Sequence, residues 1–440
     1  MKRGSGAAGQ GGSSAERQLG SRAVARLTIF LSILLACIGR SSTAQETAPR
    51  PRGPAAPLTV YLMTMGPGTA VWERFGHNAI WIHDPERGTD QAYNYGLFDL
   101  RQENFLVRFL QGRMWYWMQG FPAESYVEQY RRANRSVWIQ ELEMPPHAKR
   151  ELQDFLEWNE RPENRFYHYD YYRDNCSTRV RDALDHALGG RIRAHSSTLT
   201  TGTTFRFHTQ RLTANDPLVY TGLLLGLGQP VDWQLSAWEE MFLPLALREH
   251  LRKITVRGED GAELPVVRAE HTLFESTARV PPDRPPVWLP VYLGLGAALG
   301  ACLFTLGAAA RHNRRARTGF IAFSGCWAVL AGVMGLMLVG LWTLTDHTAA
   351  YHNENLFLLN PLSLALLPLL PRSGRSWGER RGLILAGLVA GLGVVGLMLK
   401  LLATFYQVNG EIIALALPIH LGVAAGMWQL NRSDSVASPP

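Results

Sequence analysis

Cys176 is the residue around which chemistry can be organised. It sits in the run Tyr169-Asp170-Tyr171-Tyr172-Arg173-Asp174-Asn175-Cys176-Ser177-Thr178-Arg179. The aromatic alternation of 166–172 predicts a strand, and 175–188, closed by Gly189-Gly190, predicts a helix. Asp174 or Asn175 is suited to the N-cap, which places the thiol in the first helical turn. Free N–H groups and the helix dipole there favour a thiolate, and Arg179, one turn on, would add positive potential. The competing reading is a small buried residue without chemistry. The other three cysteines offer less: Cys37 lies in an N-terminal apolar segment, and Cys302 and Cys326 lie in long apolar runs where a small hydrophobe suffices.

A thiol nucleophile needs a base. The best candidate is His77, in Arg74-Phe75-Gly76-His77-Asn78-Ala79-Ile80, because Gly76 leaves room for a neighbouring backbone or a substrate. His83 is a second choice, although Asp84-Pro85 beside it predicts an exposed turn. His168 falls in the strand before Cys176, where a structural role is the larger expectation. Asn94, in Tyr93-Asn94-Tyr95-Gly96, is a candidate to orient the His77 ring, or else a plain turn or ladder residue.

Other chemistries find little support. His77, His83, His168 and Cys176 are metal-ligand types, but no C-x-x-C, H-E-x-x-H or other tight spacing joins them, so no metal is expected. No G-x-S-x-G elbow, Walker A loop or dinucleotide fingerprint occurs, and no cofactor is expected. Arg113-Met114-Trp115-Tyr116-Trp117-Met118 is dense in aromatics and Met. It suits a lipid interface or an acyl groove, or an ordinary aromatic core.

The elements that must hold these residues divide the 440-residue chain into unlike halves. Residues 1–44 have the form of a signal peptide, with a basic start and a 12-residue apolar core from Leu27 to Ile38. Residues 45–57 are a Pro-rich linker, 58–252 a polar, aromatic domain, and 253–285 a linker or β-rich tail. Strands are expected at 58–65, 79–83 and 92–97, and helices at 104–110, 123–133 and 146–159. The apolar stretch 218–227 is too short to span and predicts a buried helix.

Residues 286–431 hold five apolar runs, at 287–310, 319–344, 356–370, 382–405 and 412–430, and 432–440 form a tail. The third is only 15 residues long and carries Pro361 and Pro368, so it could be re-entrant. If it spans, Arg311, Arg314, Arg315 and Arg317 share one side with Arg372, Arg375, Arg380 and Arg381. The opposite loops, 345–355 and 406–411, have no Lys or Arg, so the positive-inside rule favours five spans and a cytoplasmic tail. These eight arginines alone exceed the net charge of +7, which therefore reads as topology and not as nucleic-acid binding. Lys400 and His420 are ionisable groups within spans; the first is expected to snorkel, and the second invites a functional reading. The polar outer loop, with His347 and His352, faces the same compartment as Cys176 and could complete a headgroup site.

Taken together, Phe75-Gly76-His77-Asn78-Ala79, Tyr93 to Phe98, Phe105 to Phe109 with Gly112-Arg113, the Cys176 run and Trp238-Glu239-Glu240-Met241-Phe242-Leu243-Pro244 resemble Lnb-type bacterial lipoprotein N-acyltransferases. The likeness covers about 58–250 well and extends more loosely to Asn360-Pro361-Leu362 in the membrane half. It implies an α+β periplasmic domain, papain-like and related to circularly permuted NlpC/P60 enzymes, followed by an α-helical membrane domain of about five transmembrane helices in the inner membrane. It implies Cys176 as nucleophile and His77 as base, with Asn94 as a provisional third member, and Arg113, Trp115, Tyr116 and Arg179 are expected to contact substrate. The expected partners are a phospholipid acyl donor and a diacylglyceryl apolipoprotein acceptor. Two other readings remain at this point: a membrane-anchored cysteine peptidase or amidase acting on cell-wall peptide, and a non-enzymatic membrane interaction protein.

Overall fold

Thr59–Met65 (β1) sends Val60 and Leu62 to one side and Met63 and Met65 to the other, and all four are buried. A strand apolar on both faces needs cover on both. A computed structural model describes residues 57–257, 261–372 and 376–431 of the chain. The signal peptide, nearly all of the linker before residue 58 and the tail 432–440 lie outside the described residues.

The core of the N-terminal domain is a seven-stranded antiparallel sheet. Its strands are β1, His77–Asp84 (β2), Thr89–Leu97 (β3), Trp115–Pro122 (β4), Val137–Leu142 (β5), Phe166–His168 (β6) and Val267–Phe274 (β7), in the order β7-β5-β1-β2-β3-β4-β6. Four helices matter for the site: Phe105–Gln111 (α1), Ala123–Arg132 (α2), Pro146–Glu160 (α3) and Cys176–Ala187 (α4). On one face, Val60, Leu62, Ile80, Ile82 and Tyr95 pack against Leu152 and Leu156 of α3 and Val180 and Leu184 of α4. On the other, Met63, Met65, Ala79 and Ile139 pack against Tyr126 and Val127 of α2. The fold is α+β, with helices on both faces of an antiparallel sheet.

Two sequence expectations change here. The alternation through Tyr172 yields only a three-residue strand, because the chain turns at Asp170, whose carboxylate accepts from the backbone N–H groups of Tyr172 and Arg173. The tail at 253–285 is not a linker throughout, since β7 pairs along β5 and extends the domain's sheet.

The membrane half contains four helices long and apolar enough to cross a bilayer: Leu289–Ala309 (α6), Arg314–Leu344 (α7), Ser376–Leu399 (α8, apolar from Arg380) and Gly410–Asn431 (α9). Helix α5, Pro217–Gly226, belongs to the N-terminal domain and is only half-buried, with Tyr220 and Leu224 inward and Leu218 outward. Glycines let α6 and α9 approach to backbone contact, Gly300 lying against Pro418 and Gly422, and Gly307 against Gly426.

The third apolar run is not an α-helix. It is a chain of 3₁₀ turns, Glu354–Phe357, Pro361–Leu366 and Leu370–Arg372, as its prolines dictate. It nonetheless traverses the layer. Phe357 packs at Gly396, Leu358 at Gly393 and Leu369 at Gly382, while Asn360, Leu364 and Leu370 pack at Gly335, Gly332 and Gly325. Between Gly396 and Gly382 the α-helical path is about 21 Å. Four α-helices and one 3₁₀ passage therefore make five crossings, and Arg314 of α7 and Arg380 of α8 share an end.

The ionisable residues of this half are structural. His420 donates through Nε2 to Leu358 O at 2.8 Å and accepts from Trp327 through Nδ1, pinning α9 to the 3₁₀ passage. Lys400 does not snorkel; it pairs with Glu354 and donates to Gln407 O. The two halves are joined by polar networks. Asn353, Asn355 and Gln407 donate to the carbonyls of Leu225, Leu224 and Leu227 at the end of α5. The buried Arg206–Asp232 pair stands beside them, with Asp232 accepting from Val408 N at 3.1 Å.

Candidate active site

Asn175 begins α4 and fixes where Cys176 stands. Its Oδ1 accepts from the N–H groups of Ser177 (2.8 Å) and Thr178 (3.0 Å), while Thr178 Oγ1 accepts from Asn175 N. The same side chain donates from Nδ2 to Tyr171 O (2.9 Å) and Phe242 O (3.0 Å), so a buried amide is fully engaged. Ser177 Oγ lies 2.7 Å from Met241 O and 2.9 Å from Asn78 Oδ1, locking the first turn of α4 to β2.

His77 opens β2, and Asn94 lies on the neighbouring β3. Their side chains meet at 2.5 Å, His77 Nε2 to Asn94 Oδ1. With Nε2–H donating to the amide oxygen, Nδ1 is the free basic nitrogen. The His77 ring stacks on Tyr130 of α2 with centroids 6.3 Å apart.

Gly96 stands beside both Cys176 and His77. The β3–β4 register breaks between Tyr95 and Leu97, and Gly96 takes φ +98° at that bulge. A Cβ there would stand 3.4 Å from Cys176 Cβ and 3.7 Å from His77 Cε1. Glycine thus supplies both the left-handed backbone and the space between thiol and imidazole.

Burial sets the charge state of the pair. It pushes the Cys176 thiol up to about 11, although the backbone N–H groups of Asn78, Ser177 and Cys176 and the charge of Arg135 all favour the thiolate. Burial likewise pushes His77 down to about 4, against the hydrogen bond from Asn94. The resting pair is neutral thiol and neutral imidazole, so the helix start does not produce the standing thiolate that sequence alone suggests. The arrangement is suited to general-base activation, in which the proton moves as the sulfur attacks.

The remaining candidates separate. Tyr116 of β4 stacks on Tyr169 at 4.1 Å, and both pack against the core that includes Cys176. Trp115 stacks on His168 at 4.0 Å across the β4–β6 pair. Arg113 pairs with Asp346 of the outer loop at 2.6 Å and is not turned to the thiol. Arg179 does not supply free charge either; it forms a two-point pair with Asp174 and covers the Tyr167 ring at 4.3 Å. The nearby cation is Arg135, held by Glu73 and by Gly66 O, a residue that no spacing in the sequence singles out. His83 pairs with Asp90 on the exposed end of β2–β3. Among the described residues, no three His, Cys, Asp or Glu side chains converge as a metal site.

The site lies against the membrane half. Tyr171, five residues before Cys176, donates to His347 Nδ1, and their rings stack at 5.9 Å and 12°. His347 Nε2 donates to Phe109 O at 2.9 Å, and Asp346 N to Gln111 O at 2.8 Å. The outer loop is therefore bonded to the segment that leads into the Cys176 helix.

Comparison with known families gives two matches. Residues 50–214 match the family model of the Lnb N-terminal periplasmic domain, and residues 297–432 match that of the Lnb transmembrane domain. No match was found among curated proteins or among solved structures.

Proposed function

From the premise that the chain belongs to the Lnb family, as a multi-pass membrane protein with a periplasmic α+β domain that modifies lipoproteins, we propose that it is a lipoprotein N-acyltransferase with Cys176 as nucleophile and His77 as base. The observation that carries this reading is the union of a buried Cys–His–Asn constellation with the membrane domain through Tyr171 and His347. A thiol site acting on soluble peptide has no need of such a seam.

The reaction runs in two halves. His77 Nδ1 takes the Sγ proton as the sulfur attacks an acyl ester carbonyl of a phospholipid. The C–O bond to the glyceryl oxygen breaks, the imidazolium returns its proton to that oxygen, and a lysophospholipid leaves an acyl thioester on Cys176. The α-amine of a diacylglyceryl-cysteine protein then attacks the thioester. His77 accepts the amine proton, the C–S bond breaks, and the proton returns to sulfur, leaving an amide. The N–H groups of Asn78 and Cys176, which face the sulfur, are the candidates to hold the tetrahedral oxyanion. Ester-to-amide transfer is downhill and requires no cofactor. The proposed setting is the inner membrane, where donor and acceptor are both lipid-anchored and their confinement raises effective concentration.

The test is mass spectrometry of an N-terminal lipopeptide from bacteria that lack their own N-acyltransferase and express this chain or Cys176→Ser. A third acyl chain with the unmutated protein alone is expected. No added mass despite good insertion would shift the reading to a cysteine peptidase or amidase. Added mass from both proteins would remove Cys176 as the nucleophile.

A further inference from the structure

Helix α1, Phe105–Gln111, is apolar on the outside of the periplasmic domain. Leu106, Val107, Phe109 and Leu110 are 67%, 50%, 47% and 59% exposed. Four large apolar side chains in one short exposed helix are anomalous on a surface facing water. Their position explains them. The C-terminal end of α1 is strapped to Asp346 and His347, which follow within three residues of Leu344, the last residue of the membrane-crossing α7. Gly112, at φ +73°, permits this contact, since a Cβ there would lie 3.0 Å from His347 N. The helix thus stands at the outer edge of the bilayer that the chain already spans.

From the same helix a file of aromatic rings leads inward. Phe109 and Phe105 stack at 6.3 Å and Phe105 and Phe98 at 6.2 Å, Phe98 meets Tyr116 at a tilt of 37° and 5.1 Å, and Tyr116 stacks on Tyr169 at 4.1 Å. Tyr116 and Tyr169 end this file against the core cluster that holds Cys176. Both tyrosines stand close enough to Cys176 that a thiolate there would raise their own pKa values.

We propose that α1 is seated in the outer leaflet of the membrane and that the ring file from Phe109 to Tyr169 is the track along which a phospholipid acyl chain reaches Cys176. The acyl part of this proposal rests on the acyltransferase reading; the membrane seating rests on the geometry alone. A row of aromatic side chains binds a methylene chain by contact area without demanding a fixed chain length. Leu106, Val107 and Leu110 hold the entrance in lipid, so an acyl chain passes from bilayer to track without crossing water.

Two measurements test the proposal on the full chain in nanodiscs. In the first, Cys176→Ser protein is irradiated with a phosphatidylethanolamine bearing a diazirine on its acyl chain, and adducts are mapped by peptide mass spectrometry. Adducts on the 98–116 segment are expected, and their absence there overturns the proposal whether or not the enzyme reading holds. In the second, Leu106→Glu/Leu110→Glu is compared with the unmutated chain for thioester formation at Cys176. The donors are bilayer phospholipid and the soluble ester p-nitrophenyl butyrate. A loss of tenfold or more with the bilayer donor, and less than twofold with the soluble ester, is expected. Equal rates with both donors would overturn the track. If the unmutated chain forms no thioester from either donor while the adducts appear, the acyltransferase reading and the acyl track fall and only the membrane seating of α1 stands.

Discussion

The neutral resting pair makes the pH dependence of Cys176 alkylation a direct test of the site. The experiment uses the full chain with Cys37, Cys302 and Cys326 replaced by Ala, reacted with iodoacetamide from pH 6 to 10.5 and read by intact mass. With a thiol near 11, about one molecule in a thousand is thiolate at pH 8, against roughly a quarter for an unperturbed cysteine. The higher intrinsic nucleophilicity of a more basic thiolate recovers about tenfold of that deficit. The net expectation is alkylation roughly 20-fold slower than for a free cysteine at pH 8, before any steric shielding. More telling is the shape: the rate should climb about tenfold per pH unit through pH 10 with no plateau. Because His77 titrates near 4, it is already neutral across this range, and His77→Ala should leave the slope unchanged. A plateau reached below pH 7 and abolished by His77→Ala would refute the reasoning, because it would reveal a standing thiolate–imidazolium pair.

Asn94→Ala should lower kcat by on the order of 10²-fold with little change in KM, because the imidazole loses its orienting bond. Asn94→Asp should raise the His77 pKa by placing a carboxylate on Nε2, moving the acid limb of the pH–rate profile upward. Asn175→Ala removes an N-cap and orphans the carbonyls of Tyr171 and Phe242; a loss of about 3 kcal/mol is expected, read as a lowered melting temperature in detergent. Arg206→Met leaves Asp232 buried without its cation and should cost about 3–5 kcal/mol, read as premature proteolysis around residues 227–232.

Local signals carried much of this architecture. The strand at 58–65 and an N-cap at Asp174 or Asn175 were readable because each depends on neighbours within a few residues. Cys176 and His77 stood out by residue type and setting, and both stand beside the Gly96 bulge. The missed features are long-range or collective. Strand β4 does not alternate polar and apolar, because Tyr116 stacks on Tyr169 on one side while Trp115 covers His168 on the other. The β5–β7 pair joins segments some 130 residues apart, so the tail at 253–285 gave no local hint of its place in the sheet. Arg179 resembled a free charge only because its pairing with Asp174 depends on how the turn closes. Arg135 had no motif, and its role arises from burial beside Tyr130 and Glu73.

The 3₁₀ passage also dictates how the chain enters the membrane. Segments that partition alone do so as α-helices with their backbone bonds closed internally. This passage carries Asn360, Ser363, Pro361 and Pro368 within its short length, and its Leu358 carbonyl accepts from His420 of α9. It is therefore a poor substrate for stepwise insertion during synthesis. Its seat is made by α7 and α8, which it touches along its length, and is locked by α9. C-terminal truncation before α9 is therefore expected to misplace the second arginine loop, which labelling of cysteines introduced into that loop would reveal.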